Sequence, residues 1–338
     1  MKREAYLSAL RLQLEQNDFG PVEEAIAYFN DLLEDRMSDE GMDEETAVAS
    51  MEPPEQVAAQ LKESRIAASA PDAGEDSPAP GVRTYTARAD LVRHIHVRDR
   101  NTALIILGEE REDIQIRHPE TKKVRYQFSL QDGTLSLIRE EVTFSLQFFL
   151  EIERLSKEMR QVEFRVPKEL AAEMDLRTSN SKLTLENIDC WGMVEAVTSN
   201  APLKARNLSG KSLSLQASNG SMTLENVSAR QAIHATTSNA KITVDRVSAP
   251  SLKLKTSNAT ITVDEITSDD ITLTTSNGAI RGELPGAMGD YAISSGTSNG
   301  KNTLPPMTTG SGKRLSAHTS NAGISLRFRG GSMDERDS

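Results

Sequence analysis

Residues 237–247 read TSNAKITVDRV and residues 256–266 read TSNATITVDEI, and this pattern decides the fold. The dipeptide Ser-Asn returns eight times in the second half of the chain, at intervals of 19 to 22 residues. A regular period this short is typical of a solenoid in which each repeat forms one coil. The asparagines of the dipeptide are Asn180, Asn200, Asn219, Asn239, Asn258, Asn277, Asn299 and Asn321.

Apolar residues alternate with polar ones on both sides of each Ser-Asn. In one repeat, Leu252 and Leu254 precede Asn258, and Ile261 and Val263 follow it. A period of two indicates strands with one buried face, and no helical period fits these runs. One coil cannot bury its inward face alone, so the coils must stack. The predicted fold class is therefore mainly β, a right-handed parallel β-helix of about 20-residue coils, with a small N-terminal all-α domain.

The asparagine column has two interpretations. Asn tolerates the left-handed backbone region, and its amide both donates and accepts hydrogen bonds, so stacked asparagines can form a structural ladder. The alternative is a row that binds a ligand or ice. We interpret the column as structural and predict that Asn258→Ala lowers the melting temperature.

Three regions follow from composition and periodicity. Residues 1–65 predict a small helical domain in which Asp43 can cap a short helix, and so small a core is typical of a partner-docking module. Residues 66–82 are rich in Ala, Pro and acids and predict a linker. Residues 83–338 predict the β-helix, with a disordered C-terminal tail. The alternating runs within 83–143 predict either early coils of the same rod or a small cap sheet.

The segment 142–161 interrupts this pattern with Phe144, Phe148 and Phe149. A solenoid needs its open end covered, so capping is the first interpretation. The alternative is an apolar patch for a membrane surface or a protein partner.

Charge and hydropathy exclude several classes. Residues 1–65 hold 16 acidic and six basic residues, whereas residues 83–333 hold 28 and 32. So weak a positive charge, with few aromatic residues, argues against nucleic-acid binding by the rod. No apolar run is long enough for a transmembrane helix, and the N-terminal sequence predicts no secretory signal. We therefore expect a cytoplasmic or cell-envelope-associated protein.

Catalytic and metal-binding patterns are not found in the sequence. His94 and His96 face one side of a strand without a third ligand nearby in sequence, which predicts an ordinary surface strand. Cys190 is the single cysteine, and we expect it in an exposed turn beside Trp191. No nucleophile, phosphate-loop or metalloprotease motif occurs. The expectation is a protein that is not an enzyme and needs no cofactor.

Two resemblances add to this picture. The coils of residues 162–328 resemble the bacterial adhesin-like β-helix domain of unknown function. Residues 1–65, with REAYLSALRLQL and MEPPEQVAAQL, resemble the HAAS helical signalling domain, although Glu52-Pro53-Pro54 stands where that domain has Gly-x-Pro. The order of the two domains is similar to LiaX-like proteins of Gram-positive envelope-stress systems. The resemblance implies non-enzymatic sensing or regulation at the cell envelope, and it transfers no catalytic residue.

The leading hypothesis is a non-enzymatic regulatory or scaffold protein whose helical head binds a protein partner. The alternative is a surface adhesin or glycan-binding protein that uses outward rows of the rod. Those rows include Thr184, Thr223, Thr243 and Thr262. The chain after Phe328 has no helix to cover the last coil, which predicts an open end and self-association end to end.

Overall fold

A computed structural model of the chain describes residues 2–17, 43–49, 51–59, 81–121, 124–140, 161–310 and 312–330, together with residues 22, 23, 25, 26, 29, 30 and 33. The described residues up to 59 belong to one compact unit, and those from 81 onward belong to a second. The predicted boundaries of the linker lie outside the described residues and stay a prediction.

The first unit is helical. It contains α1 (Arg3–Gln16), α2 (Glu44–Ala49), helical residues at 54–59, and residues 22, 23, 25, 26, 29, 30 and 33 in helical conformation. Asp43 Oδ1 accepts a hydrogen bond from Thr46 N at 2.8 Å, which confirms the predicted cap. The buried side chains form one small core, which comprises Tyr6, Leu10, Leu14, Ala25, Phe29, Leu33, Ala47, Val48, Val57 and Ala58.

Among its described residues, the second unit consists of strands with two short 3-10 turns, at Ala89–Leu91 and Met288–Asp290. The strands are β1 (Gly81–Arg88), β2 (His94–Arg98), β3 (Ala103–Glu109), β4 (Asp113–Glu120), β5 (Tyr126–Gln131), β6 (Thr134–Arg139), β7 (Gln161–Pro167), β8 (Glu169–Leu170), β9 (Glu173–Thr178), β10 (Leu183–Cys190), β11 (Met193–Thr198), β12 (Leu203–Ala217), β13 (Met222–Thr236), β14 (Ile242–Ser248), β15 (Ser251–Lys255), β16 (Ile261–Thr267), β17 (Asp270–Thr274), β18 (Ile280–Leu284), β19 (Tyr291–Gly296), β20 (Lys313–His318) and β21 (Ile324–Phe328).

The strands stack into two long columns that meet at the Ser-Asn turn. Face A holds the strands before the turn, in the spatial order β5, β6, β2, β9, β11, β12, β13, β15, β17, β20 and β19. Face B holds the strands after it, in the order β1, β4, β7, β3, β10, β12, β13, β14, β16, β18 and β21. β12 and β13 run through a corner and contribute to both faces.

The register places like residues above one another. Leu252 pairs with Ile271, and Ile261 pairs with Ile280, so the apolar positions form inward columns that are fully buried. This burial is the main driving force for stacking, because a single coil would leave the same side chains in water. The predicted fold class, a mainly β chain built as a parallel β-helix, is confirmed.

At both ends the spatial order departs from the chain order. β20 lies between β17 and β19, and β21 pairs with β18 on one side and bridges to Asn302 on the other. The coil formed by β20 and β21 therefore sits inside the stack, and the coil that begins with β19 is outermost. At the other end, β2 lies between β6 and β9, and β3 lies between β7 and β10. The prediction that the last coil forms an open end is wrong, because that coil has neighbours on both sides.

Antiparallel segments cover the outermost coils. β5 pairs antiparallel with β6, and β4 pairs antiparallel with both β7 and β1. At the other end, the segment around Pro306 runs back along β19, where Ser295 N donates to Pro306 O at 2.9 Å and Ser294 bridges Met307. Both predicted alternatives for residues 83–143 are thus realised, since β2, β3 and β6 belong to coils whereas β1, β4 and β5 form a cap. Self-association end to end stays an untested prediction that has lost its structural premise.

Candidate functional site

The eight asparagines of the Ser-Asn turns lie in one row along the rod. Each donates a hydrogen bond from its amide Nδ2 to the Oδ1 of the neighbouring asparagine, at distances between 2.6 and 2.9 Å. The row begins at Asn101, which the Ser-Asn pattern missed. It ends in the spatial order Asn277, Asn321, Asn299, because the last two coils are exchanged. The amides between the two ends of the row are occupied with one another, and this favours a structural role for the row.

The prediction that these asparagines use their tolerance of the left-handed backbone region is wrong. None of the eight has a positive φ; instead, positive φ values between 48° and 59° fall seven residues later, at Asn187, Asn207, Asn226, Arg246 and Glu265. A second column of left-handed residues therefore marks another corner of the coil. Asparagine occupies three of its five positions, in keeping with its tolerance of this region.

A buried threonine two residues before the asparagine fastens the same turn. Thr256 is 1% exposed, and its Oγ1 donates to the backbone carbonyls of Ala240 at 3.1 Å and Ser238 at 3.3 Å, on the preceding coil. Thr237, Thr275 and Thr319 make equivalent pairs of contacts. Threonine is needed here because it supplies a donor to carbonyl groups that water reaches poorly.

The left-handed corner creates a third, shorter surface, which we call face C and define as residues 187–191, 207–211 and 226–230. Asn207 Nδ2 donates to Asn187 Oδ1, and Asn226 Nδ2 donates to Asn207 Oδ1, each at 2.8 Å. Beside this short ladder, Ser209 Oγ bonds to Asp189 Oδ1, and Ser228 follows in the same row. The floor of face C is thus lined by amide, hydroxyl and carboxylate groups.

At one end of face C, the chain of β3 continues past the corner and forms a wall. Gly108 lies so close to Asn187 that a Cβ atom at this position would be 1.9 Å from the Asn187 carbonyl oxygen, so only glycine fits. Lys168 N then donates to Glu109 O at 2.9 Å, and Asp189 N donates to Lys168 O at 2.7 Å. Wall and floor together enclose a groove of about 540 Å³, which Glu110 also lines.

Trp191 is the last residue of the first segment of face C, and it is 62% exposed. Arg230 holds this corner from two coils away, because its Nη2 donates to Trp191 O at 2.7 Å and to Cys190 O at 3.1 Å. The guanidinium carbon also lies 5.9 Å from the centre of the indole ring, within cation–π range. The exposed indole is therefore in contact with Arg230 at a corner whose backbone the same arginine holds.

The charges in the groove are largely matched. Glu109 pairs with Arg111 at 3.3 Å and with Arg165 at 3.2 Å. Glu110 lies 3.8 Å from Lys168. Among the described residues of the groove, Asp189 is thus the carboxylate that no arginine or lysine pairs with, and it accepts a hydrogen bond from Ser209 instead.

The threonines singled out from the sequence lie elsewhere, on face B. Thr223, Thr243 and Thr262 are adjacent in register, whereas Lys204 separates Thr184 from them. Thr184 Oγ1 is buried without a hydrogen-bond partner, so it cannot reach a ligand at the surface. The outward threonine row is therefore reduced to three residues on consecutive coils, Thr223, Thr243 and Thr262.

Two other sequence expectations have clear outcomes. His94 and His96 lie on a surface strand as predicted, with Nδ1 atoms 3.4 Å from Glu173 and 3.2 Å from Asp175. Cys190 was expected in an exposed turn, and this is wrong: it ends β10 with its side chain fully buried. Burial raises the pKa of the Cys190 thiol to about 11.

The remaining expectations concern membranes and metals. Phe144, Phe148 and Phe149 lie outside the described residues. Among the helices that the structure describes, none has the length and apolar character to span a bilayer. Within the same residues, His, Cys, Asp and Glu form no group of three or more that could hold a metal ion.

These features define a capped β-helix whose candidate site lies on its outer surface. The chain belongs to the Toastrack DUF4097 family, which matches residues 92–324. The solved structure of a "putative cell adhesion protein" from Clostridium sporogenes ATCC 15579 is similar at 8% identity, covering 74% of this chain and 100% of that chain, with a TM-score of 0.27. A comparison with curated proteins finds no significant match.

Proposed function

We propose that this chain is a non-enzymatic scaffold of the bacterial cell envelope that acts in envelope-stress sensing through protein contacts. The proposal rests on one observation: the chain combines a β-helix whose two ends are covered by antiparallel segments with a separate, acidic helical unit. A closed rod keeps a fixed shape and presents constant outer faces, which suits a scaffold.

The arrangement of carboxylates supports a binding role over catalysis. Glu225 on face B lies 3.0 Å from Arg206 and 3.2 Å from Arg246, and Asp245 lies 2.7 Å from Arg246. These carboxylates are engaged with arginines of the same or a neighbouring coil, so they form part of a charge-matched outer face.

Deletion of the gene in its native bacterium tests the proposal. The transcriptional response to an antibiotic that acts on the cell wall should change in the deletion strain. The full chain should restore it, whereas a chain without residues 1–65 should not. An unchanged response in the deletion strain contradicts stress sensing, and full complementation without residues 1–65 contradicts a role for the helical unit.

A second candidate function is a surface protein that binds glycans, and the polar groove of face C favours it. This candidate requires exposure on the cell. Protease treatment of intact cells should then release peptides of the β-helix, and full protection until the cells are lysed would exclude it.

A further inference from the structure

We infer that face C binds an uncharged oligosaccharide, with Trp191 as a stacking platform and the Asn187–Asn207–Asn226 ladder with Ser228 as the polar floor. This inference rests on the second candidate function and names the ligand class and the site. It differs from the sequence-based alternative, which used the threonine row of face B.

The geometry of the strand brings these groups to one side. Asn187, Asp189 and Trp191 are exposed, whereas Ile188 and Cys190 between them are buried. The chain is extended after the left-handed corner at Asn187, so Asp189 and Trp191 lie on the same side of it. At about 3.3 Å per residue, the ladder and the indole are separated by roughly 13 Å. Three stacked coils extend this face by about 10 Å along the rod. The resulting footprint suits a short oligosaccharide.

Trp191 supplies the apolar half of the recognition. A pyranose ring presents C–H groups on one face, and an exposed indole offers a flat surface to them. Arg230 holds the backbone of this corner through two hydrogen bonds to carbonyl oxygens, and its guanidinium carbon lies 5.9 Å from the centre of the indole ring. Tryptophan is enriched at binding surfaces because it combines a large apolar ring with an N–H donor, and here it lies near a polar groove.

The floor supplies the polar half. Within the part of the chain that the structure describes, Asn187 Nδ2 and Asn226 Oδ1 are the solvent-accessible ends of the ladder, one a donor and the other an acceptor. Ser228 adds an exposed hydroxyl in the row next to Ser209. Sugar hydroxyls both donate and accept hydrogen bonds, so they can satisfy this mixed set, whereas a ligand of pure donors or acceptors cannot.

The charge of the groove selects an uncharged ligand. A polyanion would meet the carboxylates of Glu109, Glu110 and Asp189, and Lys168 is already engaged with Glu110. A cationic ligand that stacked on Trp191 would meet Arg230, whose guanidinium carbon already lies 5.9 Å from the centre of the indole. A neutral polyhydroxylated chain avoids both penalties and keeps every polar contact.

The experiment uses tryptophan fluorescence of the full chain, because Trp191 is its single tryptophan. Chitotetraose, cellotetraose, maltotetraose and mannotetraose are titrated to about 10 mM, which detects dissociation constants in the millimolar range. A saturable change in emission with at least one of them supports the inference. The absence of any saturable change across this panel overturns it. A heparin tetrasaccharide serves as the anionic comparison and should bind more weakly than the best neutral probe.

Matched variants locate the binding. Ser228→Tyr fills the floor and should weaken binding roughly tenfold or more, whereas Ser248→Tyr, in the same row one coil beyond the groove, should leave it unchanged. Trp191→Ala, measured by calorimetry, should weaken binding roughly fivefold. Circular dichroism confirms that each variant folds. Binding that survives both Ser228→Tyr and Trp191→Ala overturns the assignment to face C. If the protein binds an oligosaccharide but is protected from protease in intact cells, the binding site is supported and the function at the cell surface is excluded.

Discussion

Replacing Thr256 with valine removes a buried hydroxyl and leaves the shape of the side chain almost unchanged. Thr256 Oγ1 donates to Ala240 O at 3.1 Å and to Ser238 O at 3.3 Å. Ser238 O already accepts from the backbone amides of Ser257 and Asn258, at 3.0 and 2.9 Å. The carbonyl of Ala240 therefore depends most on this hydroxyl.

The expected cost follows from this difference. Leaving one buried acceptor unsatisfied costs about 1–3 kcal/mol. Asn258→Ala removes two amide hydrogen bonds of 2.6 Å, to Asn239 and from Asn277, but all three side chains are exposed. Water can replace those bonds, so we expect a loss of about 1 kcal/mol or less. Thr256→Val should thus be the more destabilising change, at about 2 kcal/mol, although the asparagine is the more conspicuous part of the repeat.

Urea unfolding followed by Trp191 fluorescence measures both variants, because this tryptophan lies in the β-helix. Thr256→Ser is the matched control, since it keeps the hydroxyl and removes only the methyl group. It should cost less than Thr256→Val. If Asn258→Ala proves more destabilising than Thr256→Val, or if the serine and valine variants are equally unstable, the argument from the buried hydroxyl is refuted.

Three further predictions concern other positions. Ala217 stands where other coils have the buried threonine, so Ala217→Thr should add about 0.5–1.5 kcal/mol to the free energy of unfolding, and an unchanged urea midpoint would contradict this. The Cys190 thiol, buried and with its pKa raised to about 11, should react with a thiol reagent at pH 8 only after denaturation; rapid labelling of the native protein would refute this. Burial lowers the pKa of His118, so at mildly acidic pH the unfolded chain binds a proton that the folded chain does not. The free energy of unfolding should therefore decrease as the pH is lowered below about 6.5. His118→Phe, but not His234→Asn, should weaken this dependence in urea unfolding measured from pH 8 to 5.

The interior of the rod could be predicted because a stacked strand repeats its environment. The alternation around Asn258 assigned Leu252, Leu254, Ile261 and Val263 to the core, and all four are buried. Period-two patterning depends only on which face of a strand meets water, and it needs no knowledge of the neighbouring strands.

Face C was harder to find, although the sequence contained a signal for it. Asn187, Asn207 and Asn226 repeat at intervals of 20 and 19 residues, in step with the Ser-Asn turns. The next two residues of the column are Arg246 and Glu265, which share the left-handed backbone conformation but not the side chain. The sequence therefore does not show that all five positions are equivalent. The position of Trp191 next to this column depends on where the chain turns its third corner, which alternation alone does not encode.

The exchange of coils at the C-terminal end also had a trace in the sequence. Ser295 and Asn302 break the apolar columns of the predicted seventh coil. In the structure Ser295 Oγ donates to Pro305 O at 2.7 Å, and Asn302 Nδ2 donates to Ser295 Oγ at 2.9 Å. The polar residues are needed because this coil is outermost and packs against a covering segment instead of another coil. Coils with the same inward pattern are interchangeable as neighbours, so their order was not predictable from the columns.

This exchange bears on how the rod avoids growing by addition of further molecules. A coil stacked in chain order would end in a parallel edge with the same apolar columns, a template for another copy. The covering segment beside β19 contains Pro305 and Pro306, whose nitrogens cannot donate hydrogen bonds to an added strand. β1 at the other end carries Arg83 and Arg88, which pair with Glu120 and Asp90. Charges and prolines on edges oppose further pairing. Because the coil of β20 and β21 is inserted one level inward, the covering segment is held outside it, and an approaching molecule would have to displace that segment before it could stack.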